Sequence, residues 1–158
     1  MPEDNHPNDR HYYFQLRQQS TNKSLDTQVD LLMSLKRNTH NICTIQEPYI
    51  DQNGKMRANT QWFTVYPSTH NQSPNTTRSI MLVNTKLLTN NWNQLHIEHP
   101  DITTIELTTS IDKIRLFNIY NNCKNNDALN SISTFMKANP APRSVTNPTH
   151  YIWLSNFN

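Results

Sequence analysis

The chain has 158 residues, 34% of them hydrophobic and 16% charged, long enough for one domain with a core, and no segment approaches the length of an apolar membrane span. A formal net charge of +2 is compatible with a nucleic-acid partner without indicating one, because Lys and Arg are scattered rather than clustered. Neutral polar groups take the place of charge: 23 Asn stand against a single Gly, Gly54, where a Gly share of about 7% is usual, so nearly every turn does without the permissive residue.

Met1 to Arg10 is polar, holds two prolines and has no apolar signal-type stretch. It reads as a disordered arm of an intracellular chain, nuclear or cytoplasmic and not secreted. Residues 11–158 read as one domain. His11 to Gln19 alternates Tyr12, Phe14 and Leu16, the pattern of a half-buried strand. Ser24 can cap a helix running to about Arg37, with Leu25, Val29, Leu32 and Leu35 on one face and Asp26 in its first turn. The strand Ile42 to Gln46 follows, and strand, helix and strand together make a βαβ unit with parallel pairing. Asp51-Gln52-Asn53-Gly54 is the one conventional turn signal.

Strands follow at Trp62 to Tyr66, Ser79 to Asn84, Asn93 to Ile97, Thr103 to Leu107 and Lys113 to Tyr120, with connections short enough for antiparallel or mixed pairing. Asn126 to Ala138 reads as a second helix, with Leu129, Ile132 and Met136 on one face and Pro140 stopping it. Ala141 to Thr149 is a proline-containing loop, and His150 to Leu154 is a last apolar strand. Cys43 and Cys123 sit in strand-like contexts without metal-ligand spacing and read as buried reduced thiols. The seven histidines share no metal-binding spacing, and Trp62, Trp92 and Trp153 read as core or half-core aromatics.

The chemistry centres on Ile42-Cys43-Thr44-Ile45-Gln46-Glu47-Pro48-Tyr49. A β-branched run ends on a carboxylate followed by proline, which stops the ladder and biases Glu47 toward extended backbone. That places one acid at the C-terminal lip of a strand, where open α/β sheets hold ligands. Gln46-Glu47-Pro48-Tyr49, Asn118-Ile119-Tyr120-Asn121 and Trp153-Leu154-Ser155-Asn156-Phe157-Asn158, in that order, resemble the endonuclease/exonuclease/phosphatase superfamily. The similarity is to the endonuclease domain of fungal non-LTR (LINE-type) retrotransposons, and it runs from about Leu16 to Asn158.

The resemblance implies a deoxyribonuclease-I-like α/β sandwich, a Mg²⁺ or Mn²⁺ cofactor and DNA as the partner, nicked to prime reverse transcription. It assigns Glu47 to the metal, Tyr120 to a hydrogen bond with the scissile phosphate and Asn158 to a phosphate contact. Two positions depart from the motifs. Ser20, in Gln19-Ser20-Thr21-Asn22-Lys23-Ser24, stands where the family has Asn. Asn156 stands where the family has the Asp that deprotonates the attacking water, and an amide is no base at neutral pH. The family's C-terminal Asp-His pair has no counterpart before the last residue.

The expectation is therefore a degenerate, inactive nuclease domain, truncated at its C-terminus, holding its metal weakly if at all. The alternative is a catalytically dead nuclease-like module that binds DNA or protein; a lipid or inositol phosphatase is disfavoured by the retrotransposon-like Asn22-Lys23-Ser24 and Tyr66-Pro67-Ser68-Thr69. The expected architecture is the N-terminal half of the sandwich: one mixed sheet containing the strands around Ile42, Ile80, Ile119 and Ile152, with both helices on one face. Its other face would be exposed, apolar and prone to association.

Overall fold

The computed structural model describes residues 14–142 and 146–157. The first parallel unit is β1 (Leu16–Ser20), α1 (Leu25–Ser34) and β2 (Ile42–Gln46), with Leu16 opposite Ile42 and Ser20 opposite Gln46. β3 (Trp62–Val65) and β4 (Ser79–Asn84) add antiparallel strands, giving a four-stranded sheet in the order β1-β2-β4-β3. A second four-stranded sheet follows in the order β5-β6-β7-β8, from β5 (Trp92–Leu95), β6 (Ile102–Thr108), β7 (Lys113–Asn121) and β8 (Thr149–Phe157). β7 and β8 are parallel and joined through α2 (Asp127–Ala138), so each sheet contains one strand-helix-strand crossover.

Strand alternation then divides the core. From β2, β3 and β4, Ile42, Val65, Met81 and Val83 pack against Ile105, Leu107 and Leu116 of the second sheet. Their neighbours Cys43, Ile45, Ile80 and Leu82 point the other way, onto Leu31 and Leu35 at α1. On the far side Ile102, Phe117 and Ile119 meet Ala128 and Ile132 of α2. The result is four layers, helix, sheet, sheet and helix, with the largest side chains of all three apolar clusters almost fully buried. Burying each such side chain contributes roughly 1.5–3 kcal/mol.

The α/β sandwich is thus present, with its single mixed sheet replaced by two and its helices on opposite outer faces. The strands around Ile42 and Ile80 lie in one sheet and those around Ile119 and Ile152 in the other. The naked apolar sheet face expected from one layer is absent, because the two inner faces cover each other. Strands that are apolar on both sides need a partner on each, and the second half of the chain supplies it.

Both helices are rotated from the expected faces. In α1, Gln28 and Leu31 point inward while Val29 is 41% exposed. Gln28 is held there by a two-way amide bond to the backbone after β2: Tyr49 N donates to Gln28 Oε1 at 2.9 Å, and Gln28 Nε2 donates to Tyr49 O at 3.3 Å. The helix stops at Ser34 rather than near Arg37, since Leu35 turns to extended backbone and only its N–H still bonds back, to Leu31 O. In α2, Ala128 and Ile132 are buried and Leu129 is exposed. β1 begins at Leu16, and residues 11–13 of the expected strand lie outside the described part. Cys123, read as buried, is exposed in a left-handed turn after β7 with φ 56°.

Candidate functional site

At the C-terminal end of β2, Glu47 adopts φ 50°, a left-handed conformation that L residues avoid. The local rule before proline favours extended backbone, so the expectation from Pro48 fails here. Tertiary hydrogen bonds override it. Glu47 N donates to Arg78 O at 2.8 Å, while its own carbonyl accepts from Lys23 N at 2.7 Å and Thr21 Oγ1 at 2.8 Å. Asn22 and Lys23, on the loop that supplies those donors, are left-handed too, with φ 48° and 58°. Non-glycine residues held this way cost on the order of 1–3 kcal/mol each and collect where a side chain must be aimed.

The side chain so aimed meets β7. Tyr120 Oη donates to Glu47 Oε1 at 3.0 Å, joining residues 73 apart in sequence across the two sheets. Burial and then the hydrogen bond to the Glu47 carboxylate push the Tyr120 phenol above its ordinary value, so it keeps its proton and stays a donor at neutral pH. The Arg78 guanidinium lies over the Tyr120 ring, 4.9 Å from its centroid. Arg78 is itself held by Asp101 through two bonds of 2.7 Å, and Tyr120 N donates to Asp101 O at 2.9 Å. Four side chains from four segments therefore form one chain of contacts: Glu47, Tyr120, Arg78 and Asp101.

Beneath this lip the space between the sheets is polar. Gln46 Nε2 donates to Ile119 O at 2.9 Å and to Asn118 Oδ1 at 3.3 Å, and both residues are fully buried. Beside Glu47 a cleft of about 230 Å³ opens between Lys23, Tyr49, Asn75 and Thr77.

Of the residues expected to act, Glu47 and Tyr120 touch. Asn156 lies opposite Tyr120 in the β7–β8 register, which puts its backbone at the same lip. Asn158 lies outside the described residues. Ser20 ends β1 opposite Gln46, and its hydroxyl donates to Asn22 Oδ1 at 3.1 Å, so it stabilises the turn while the next residue, Thr21, holds Glu47. Sequence reading passed over Thr21, Gln46, Arg78, Asp101 and Asn118. Thr21, Gln46 and Asn118 each sit inside a motif already singled out for a neighbouring residue, whereas Arg78 and Asp101 lie in none.

For a divalent ion the lip offers one carboxylate, Glu47, since both Asp101 oxygens are taken by Arg78. Among the described residues no three His, Cys, Asp or Glu side chains group as a metal site. A single carboxylate fits a hard cation that keeps most of its waters and borrows substrate oxygens. The fit is to weak, substrate-assisted binding.

The architecture is a two-sheet α/β sandwich, with its lip formed by β2, β4 and β7. Among solved structures it is similar to the endonuclease domain of TRAS1, a telomere-specific non-LTR retrotransposon, with a TM-score of 0.66 and 15% sequence identity. The similarity covers 91% of this chain and 58% of that one, so the chain spans little more than half the length of the structure it matches. Neither a protein-family model nor a curated protein matches the chain. At the level of fold, the resemblance drawn from the three motifs holds.

Proposed function

We propose that this chain is a degenerate DNA endonuclease domain of the endonuclease/exonuclease/phosphatase type, which presents Glu47 and Tyr120 to a phosphodiester and does not cleave it. The reading rests on the 3.0 Å bond between Glu47 and Tyr120 at the shared lip of the two sheets. Glu47 would hold Mg²⁺ or Mn²⁺, and the ion when bound supplies positive charge against the phosphate oxygens. Tyr120, protonated and fixed by Arg78, donates to Glu47 and can donate equally to a phosphate oxygen brought to the lip.

Hydrolysis also needs a group that takes the proton from the attacking water. The position beside Tyr120 carries Asn156, and its amide cannot do so at neutral pH. General-base assistance contributes about 10²–10⁴-fold in rate. Residues that act as a unit fail together, so little remains beyond what binding provides. A dead module kept for binding DNA would use several cations at the lip, where the Arg78 guanidinium is already paired with Asp101 and Lys23 is the cation that lines the cleft.

Nicking of supercoiled plasmid by the purified chain in Mg²⁺ or Mn²⁺ tests this, with Glu47→Ala as control. We expect no nicking by either protein. Metal-dependent nicking by the unaltered chain that disappears in Glu47→Ala would overturn the assignment of inactivity.

A further inference from the structure

We propose that Gln46 is a positioning residue: its buried amide clamps β2 to β7 and so sets the spacing of Glu47 and Tyr120. The proposal takes from the functional reading only that these two residues form the site, and it does not depend on metal binding or catalysis.

The inter-sheet layer is apolar over most of its area, built from Ile42, Met81, Val83, Ile105, Leu107 and Leu116. At the lip end it becomes a hydrogen-bonded network instead. Gln46 reaches across to Ile119 O and Asn118 Oδ1, and Asn118 returns with Nδ2 to Ile45 O at 3.0 Å and Ile80 O at 2.9 Å. Ser79 Oγ lies 2.8 Å from Asn118 O and 3.1 Å from Thr103 Oγ1, and Thr103 Oγ1 donates to Ser79 O at 2.8 Å. All four side chains belong to buried residues.

Their placement follows the lip residue by residue. Gln46 immediately precedes Glu47, and Ser79 immediately follows Arg78. Asn118 stands two before Tyr120, and Thr103 two after Asp101. Every lip side chain thus has a network member at its root. Apolar contacts are non-directional and tolerate sliding of one sheet over the other. Directional bonds from one amide to two atoms of the facing strand do not, and fixing register is the best-attested use of buried polar groups.

Stability alone does not account for Gln46. Its Oε1 is buried without a partner among the described residues, which carries a desolvation penalty that an apolar side chain of the same length avoids. The residue is a poor choice for holding the core together and a good one for holding two strand ends in register.

The test is NMR of the whole chain carrying ¹³Cζ-labelled tyrosine, at neutral pH without metal or DNA. Tyr120→Phe identifies the signal among the six tyrosines. Glu47→Gln marks how far that signal moves when its anionic acceptor is lost. In Gln46→Met we expect the Tyr120 signal to move at least half that far while urea unfolding stays cooperative. Ser79→Ala should move it in the same sense by less. Thr44→Val, fully buried on the same strand but away from the lip, should leave it in place.

If Gln46→Met does not fold, Ser79→Ala decides. A Tyr120 signal that shifts no more than in Thr44→Val overturns the clamp. If Mn²⁺ fails to bind the chain while Gln46→Met still moves Tyr120, the metal reading falls and the clamp stands.

Discussion

The Asp101 side chain is 2% exposed in the native chain, and in an Arg78→Ala variant it would lose both of its 2.7 Å donors. Stranding a buried charge by deleting its partner costs about 3–5 kcal/mol, and Asp101 is buried enough for the lower half of that range to apply in full. The reverse deletion leaves a different remnant. Arg78 keeps 31% of its side chain exposed, so in Asp101→Ala its guanidinium can turn to water, and we expect a loss of about 1–2 kcal/mol. The double variant should cost less than Arg78→Ala alone, because it removes the stranded carboxylate as well as the pair.

Urea unfolding of the four proteins measures all three losses, with similar denaturant slopes as the check that only the native state has changed. Losses of equal size for the two single variants, or strict additivity in the double, would show that burial does not set the energetics of this pair. Arg78 also covers the Tyr120 ring, so its removal should loosen the phenol as well.

His70 links the loop after β3 to the Gly54 turn: its Nε2 donates to Gly54 O at 2.8 Å, its Nδ1 accepts from Thr77 Oγ1 at 2.7 Å, and its ring stacks on Tyr66 at 3.9 Å. Two such bonds and the stack suggest that His70→Ala loses about 2–4 kcal/mol. Burial holds the imidazole below its ordinary value, so the unfolded chain takes up a proton near pH 6.5 that the folded chain refuses. The wild-type advantage over His70→Ala should therefore be complete above about pH 6.5 and shrink as pH falls, and a pH-independent advantage in urea midpoints would contradict it. Burial also pushes the Cys43 thiol up to about 12, so a thiol reagent should modify exposed Cys123 in the native chain and reach Cys43 only on unfolding; equal native rates would disprove this.

The strands were legible because their β-branched runs are local. Ser79 to Asn84 appears with the bounds its sequence suggests, and the first βαβ unit forms as its patterns require. The division into two sheets was not, since alternation looks the same whether an inner face meets a helix or another sheet. The helix faces were misjudged by a residue for a specific reason. In α1, Gln28, polar and outside the apolar face read from the sequence, is drawn inward by the backbone groups of Tyr49, which it bonds with both ends of its amide. At Glu47 the error ran the other way: a sound local rule for residues before proline lost to three hydrogen bonds from distant segments.

The same division between local and distant governs the candidate site. Glu47 and Tyr120 could be singled out only because short motifs carry them. Arg78 and Asp101 are 23 residues apart and Gln46 and Asn118 are 72 apart, distances over which no periodicity pairs two side chains. Yet the polar layer left a trace. Gln46, Ser79, Thr103 and Asn118 each put a polar group at an inward position beside the apolar inter-sheet cluster, all near the same pole of the sandwich. One such residue in one strand is uninformative, because a buried amide can find a partner almost anywhere. Four of them, on strands that antiparallel and parallel pairing bring to one pole, bond to each other and to the facing main-chain carbonyls once water is excluded. A site built at that pole inherits their rigidity, which fixes the geometry of the Glu47–Tyr120 pair.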